Sequence, residues 1–168
     1  HIKAVIRKGK GVYRIGQHGP DIFFYYKPIC LPQSRINKIG PQMHKEPAFG
    51  FFQKGIREFE ISPSPQLASY LFGFACHFML DSECHPYISR YMEEHHLGHL
   101  EIETDFDRML LTEDGLEPVT ANCTRHLIRD LDTEEAIASV LDDVTADQVD
   151  ACILGFKKTI RMFQCPSK

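Results

Sequence analysis

Five residues in this chain are of types that bind metal ions, and they recur at helical spacing. His77, Asp81 and His85 stand at steps of four in the stretch YLFGFACHFMLDSECHPYISR, Tyr70 to Arg90. On an α-helix a step of four turns about 400°, so the three side chains form one stripe, stacked turn upon turn. After thirteen intervening residues, His99 and Glu103 repeat the step of four. Neutral imidazole nitrogen and carboxylate oxygen are the usual zinc ligands outside all-cysteine sites. Two helices packed side by side would bring all five into one cleft. The plainer role for such residues is to hydrogen-bond one another and the nearby backbone, as buried polar groups must.

The elements that position them follow from the pattern around them. Leu71, Phe72, Phe74, Ala75, Phe78, Met79 and Leu80 surround the first stripe with little charge. That predicts a helix apolar over most of its circumference and central in its domain. Ser64 caps it and Pro65 takes its first position. A second helix opens at Gly98-His99, carries Leu100, Ile102, Phe106, Met109 and Leu110, and ends at Asp114-Gly115.

Upstream, residues 1–8 form the end of a helix that Gly9, Gly11 and Gly16 break. Pro20 and Asp21 mark a helix start, where a negative charge is favoured by the helix dipole. Phe23 to Tyr26 is expected in the core. Lys27 to Gln42, with Pro28, Pro32, Gly40 and Pro41, reads as a loop of the length that borders active sites. Met43 to Glu60 reads as a helix with Phe49, Phe52, Ile56 and Phe59 at steps of three and four. His44 falls in its first turn, where on local pattern alone it is a surface or capping residue.

Downstream, Val119 to Asp130 is expected to form a short helix. Thr133 caps another that runs through Leu141, and Thr145 caps the last. There Val149, Ile153, Phe156, Ile160 and Phe163 make a helical stripe. No strand alternation of any length occurs. The expected class is all-α, a multi-helix bundle in a single domain, 1–168.

Composition excludes several functions. A formal charge of −4 gives no broad basic surface for duplex nucleic acid. No run of 18 apolar residues exists to span a membrane. The N-terminus, HIKAVIRKGKGV, has no signal-peptide hydrophobic region, which points to the cytoplasm, although the chain begins without Met. None of the six cysteines, Cys30, Cys76, Cys84, Cys123, Cys152 and Cys165, forms a C-x2-C pair. Most of them are expected to be reduced, buried, small hydrophobes. Glu93 and His96 make a single E-x2-H pair, short of the two that a di-iron bundle needs.

Taken in order, Gly19-Pro20-Asp21, His44, the H-x3-D-x3-H stretch and the H-x3-E stretch resemble the bacterial zinc-dependent phospholipase C family, which is related to fungal single-strand nucleases. The likeness is closest to small members with a GPDIFFYY-like and an HPYI-like segment, and covers roughly residues 10 to 112. It implies an all-α fold holding a zinc cluster at the end of a helical bundle. It also implies that Asp21, His44, His77 and Asp81 bind one zinc, and that His85, His99 and Glu103 bind a second. Asp21 would in addition accept a proton from the attacking water. A third zinc in the family uses the mature amino terminus, a first-helix histidine and the residue matching Asp81. His1 and His18 are the only candidates here for that histidine, and neither matches it in context. The family's central motif is also two residues longer before its last histidine.

Three functions follow as expectations. One is a zinc-dependent phosphodiesterase of phospholipase C type, acting on a phospholipid headgroup or another phosphodiester through metal-activated water. A second is a single-strand nuclease on the same cluster, with aromatic stacking near the metals. A third is a metal-stabilised binding domain without turnover.

Overall fold

The computed structural model describes residues 2–28 and 33–162, and every regular element among them is helical. Two short helices, α1 (Ile2–Lys8) and α2 (Lys10–Gly16), lead into a 3-10 segment, Gly19–Tyr25. Then follow α3 (Arg35–Met43), α4 (Phe49–Ile61), α5 (Pro65–His95), α6 (His99–Glu113), α7 (Leu131–Ala138) and α8 (Ala146–Met162).

The expected caps form. Ser64 Oγ accepts from the Leu67 N–H at 3.3 Å, with Pro65 in the first turn of α5. Thr145 and Gln148 cap α8 reciprocally, at 3.0 and 3.3 Å. The 31-residue α5 is the longest element, about 46 Å by helical rise. Its first half is the centre of the molecule. Helix α2 crosses it with the backbones touching: a Cβ on Gly73 would lie 2.1 Å from the Tyr13 carbonyl oxygen. Around this crossing a single core gathers Ile15, Ile22, Phe23, Tyr70, Ile137, Val149 and Ile153, all fully buried.

The second half of α5 departs from expectation. No residue of α5 beyond Phe74 is buried, and none of α6 is. Phe78, Met79 and Leu80 are 40, 57 and 67% exposed. The apolar circumference therefore runs out of the core, and α6 packs against this outlying half.

Other boundaries also move. Gly9 divides α1 from α2, but Gly11 lies inside α2. The expected loop Lys27–Gln42 contains α3, which holds Pro41 near its end. Ser34 starts that helix, its N–H donating to Asn37 Oδ1 at 3.0 Å. The next helix begins at Phe49, so Met43 ends α3 and His44 is that helix's C-terminal cap. In α4 the expected stripe is largely outward, with Phe49 72% and Ile56 56% exposed, while Gly55 is buried beside Leu71.

Val119–Asp130 forms turns. Asn122 Oδ1 accepts from both the N–H and the hydroxyl of Thr124, at 3.0 and 2.9 Å, a local bond that competes with helix. Asp130, not Thr133, caps α7, accepting from the Thr133 N–H at 3.0 Å. Of the cysteines among the described residues only Cys152 is buried. Cys76 is exposed, Cys84 and Cys123 are half-buried, and all four are free. His1, Cys30, Phe163 and Cys165 lie outside the described residues. No helix of the described residues is long and apolar enough to cross a membrane.

Candidate metal centre

Asp21, His44 and His77 converge from three elements, their ligand atoms all within 4.8 Å of one another. Each arrives for a local reason. Asp21 rides on the 3-10 segment, which Pro20 opens and which packs on α3 and α8. Buried Asn37 of α3 ties the two together, its side-chain amide donating to the Tyr26 carbonyl at 2.8 Å. That register delivers His44, at the end of α3, to Asp21. Its Nδ1–H donates to the Gly40 carbonyl at 2.8 Å, which turns Nε2 toward Asp21 Oδ1, 3.2 Å away. His77 comes from α5 and seats against Gly19. That glycine has φ +53°, and a Cβ there would lie 2.1 Å from the imidazole Cδ2. Only glycine serves both demands.

A second group lies on the outlying half of α5 and on α6. His85 Nε2 is 2.9 Å from Asp81 Oδ1, and His99 Nε2 is 2.8 Å from Glu103 Oε1. The His85 and His99 rings stack with centroids 5.1 Å apart, so the two helices do bring these side chains together. Asp81 faces both ways: it pairs with His85 and also lines a cleft with His44 and His77. The structure thus places all seven expected residues in one region, as a tight group of three and a looser group of four.

The electrostatics join the two groups. Removal from solvent raises the Asp21 carboxyl above its usual range; His77 and His44 oppose this, while Asp81 and Glu103 add to it. Burial also raises Asp107, with Glu103 contributing. Tyr25 is raised by burial, then by Asp21 and Glu103. Asp21 therefore lies in the field of two further carboxylates, Asp81 and Glu103, the condition a bound cation relieves. Asp107 continues the step of four from Glu103, a signal present in the sequence and passed over. Gly19 was singled out only as part of a motif, since its contact with His77 is tertiary.

His18 does not join these ligands. Its Nε2 is 2.7 Å from Nε2 of His126, and its ring meets Phe156 edge-on. Burial, then His126 and His77, lower it to about 4, so it is neutral here. Phe23 is core, as expected, whereas Phe24 is 43% exposed and stacks on His44 with centroids 6.0 Å apart.

The donor set suits zinc: two imidazoles and a carboxylate, one imidazole with its tautomer fixed by a carbonyl and the other in a glycine-lined seat. The profile of one protein family, zinc-dependent phospholipase C, matches residues 5–155. That is most of the chain and spans all seven ligand-type residues, so this protein belongs to the zinc-dependent phospholipase C family. Its all-helical fold agrees with that membership, and zinc is the cofactor that family and donor set assign. No curated protein and no solved structure matches the chain.

Proposed function

We propose that this protein hydrolyses phosphodiester bonds as a phospholipase C-type enzyme, within a single domain spanning 1–168. The observation that carries this reading is the convergence of Asp21, His44 and His77, each fixed by its own element, beside Asp81, His85, His99 and Glu103. Asp21, His44, His77 and Asp81 would hold one zinc, and His85, His99 and Glu103 a second. When bound, zinc supplies a Lewis acid for the phosphoryl oxygens and acidifies water at neutral pH.

The chain's own residues do the rest. Gly40 holds the His44 tautomer, and Gly19 leaves room for the His77 ring. Asp21 is the carboxylate of the tight group and takes the proton released as water attacks phosphorus. Its partly enclosed position limits competition from bulk water for that proton. The exposed Phe24 ring beside His44 favours a second reading, a single-strand nuclease that stacks a base there.

Metal content by mass spectrometry, on protein purified without added metal, comes first, with two zinc ions expected. Hydrolysis of p-nitrophenyl phosphorylcholine and of single-stranded DNA would then be compared. Asp21→Asn should lower turnover by about 10²-fold or more. A zinc-loaded, folded protein that cleaves neither substrate would leave the metal-stabilised binding domain as the better reading.

A further inference from the structure

The cleft beside the metal centre has a cationic end that the ligand motifs do not account for. It measures about 510 Å³, within the range of small-molecule sites. Besides His44, His77 and Asp81 it is lined by Lys38 and Arg35 of α3 and Lys54 of α4. His44 caps the end of α3, while Lys38 and Arg35 lie six and nine residues earlier. By helical rise that places them about 9 and about 13 Å back along the axis. Apolar side chains, among them Met43, Phe51 and Phe74, line the space as well.

Charge accounting singles out Lys38. Arg35 donates to the Asp143 carbonyl and lies 3.6 Å from the Asp143 carboxylate. Lys54 reaches Asp142 at 2.6 Å. Of the acidic groups of the lining, Asp142 is taken up by Lys54 and Asp81 pairs with His85 at 2.9 Å; Glu46 accepts from the neutral Gln42 amide at 2.8 Å and keeps its charge, but it lies two residues beyond His44, at the other end of α3 from Lys38. Lys38 is exposed and has no ion-pair or hydrogen-bond partner among the described residues. A substrate extending from the metal ligands along α3 would therefore meet an unneutralised ammonium. A trimethylammonium headgroup placed beside Lys38 would meet repulsion there.

We propose that Lys38 is a specificity-determining residue, and that the substrate is a phosphodiester carrying a second anionic group, phosphate or carboxylate. This rests on the phosphodiesterase reading given above. The same chemistry is offered by an acidic phospholipid headgroup and by a water-soluble diester.

The test uses the zinc-loaded protein and three soluble aryl phosphodiesters that differ only at a remote end: carboxylate, hydroxyl or trimethylammonium. The carboxylate substrate should have the highest kcat/KM. Lys38→Glu should cut its advantage over the trimethylammonium substrate about tenfold, the scale of one charged hydrogen bond, with the melting temperature unchanged. Phosphatidylinositol phosphate and phosphatidylcholine in mixed micelles form the lipid arm. A preference for the former identifies a headgroup, and activity confined to the soluble carboxylate identifies a free diester; either supports the proposal.

Calorimetric binding of non-hydrolysable phosphonates with the same remote groups separates the two claims. If no diester turns over but the carboxylate phosphonate binds best and Lys38→Glu abolishes that preference, the cationic end stands and the phosphodiesterase reading falls. If diesters are cleaved with the same preference in wild type and Lys38→Glu, or the trimethylammonium compound is preferred, the cationic end is refuted while the enzyme remains. Absence of both binding and turnover refutes both.

Discussion

The body of the molecule and its projecting helical arm hold metal-ligand types in opposite ways. In the body, Asp21, His44 and His77 come from three elements whose neighbours are buried: Ile22 and Phe23 beside Asp21, Ile36 and Asn37 on α3, Phe74 one turn before His77. In the arm, Asp81, His85, His99 and Glu103 stand on the far half of α5 and on α6, where no residue is buried. The body group is placed by packing. The arm group is placed by its own ion pairs and one ring stack. Preorganised ligands cost little to bring together when metal binds, whereas ligands on a loosely covered arm convert metal binding into local stability.

The largest expected contrast is in packing. Ile153→Ala, at a fully buried position of α8, should cost about 2–5 kcal/mol in urea unfolding. Leu110→Ala, 41% exposed on α6, should change stability by less than ~0.5 kcal/mol. Comparable losses would mean that the arm is covered in solution and that the division fails. Next comes Gly19→Ala. The new methyl meets the His77 ring in a backbone conformation that disfavours side chains, an expected loss of about 1–3 kcal/mol. Zinc titration should show the body site weakened and the arm site kept. Loss of both together would show that the two groups act as one.

What the sequence made legible divides along the same line. The stripes of α5 and α6, and the caps at Ser64 and Thr145, rest on bonds and faces spanning three or four residues, so a reader of the chain finds them. The family likeness gathered all seven ligand-type residues because their order survives in the chain. Three things were hidden because they are set by distant neighbours. Helix α3 forms through Pro41 because Asn37 is anchored in the 3-10 segment. The burial of α5 stops at Phe74 because α1, α2 and α7 cover only its first half, which periodicity does not encode. Lys38 gains meaning only once α3 and α4 enclose a cleft with α5.

A smaller effect sharpens the body's side of the contrast through pH. Glu134 on α7 is 8% exposed; burial, then Asp150, raise its carboxyl to about 7 from 4.5. The folded chain therefore holds a proton that the unfolded chain releases above 4.5. Stability from this group is full below pH 4.5 and is lost as pH rises toward 7. Asp150, held down by Arg129 at 2.7 Å, acts oppositely, and only below its usual 3.8. Melting temperatures of Glu134→Gln should be flatter across pH 4.5 to 7 than those of the parent. An unchanged slope would place the titration elsewhere.

The smallest expected effect lies in the arm and depends on metal. Without zinc, Glu103→Gln removes only a half-exposed pair with His99, so stability should fall by no more than ~0.5 kcal/mol. With zinc present the same change removes a charged donor from the arm group. Native mass spectrometry should then show one zinc fewer, while the group of Asp21, His44 and His77 keeps its own. Hydrogen exchange in α6 should rise toward its metal-free rate, while exchange in α8 should stay unchanged. A large loss in the metal-free protein would mean that packing, not metal, orders the arm. An unchanged metal count would remove Glu103 from the ligands, leaving Asp81, His85 and His99 to hold the second ion.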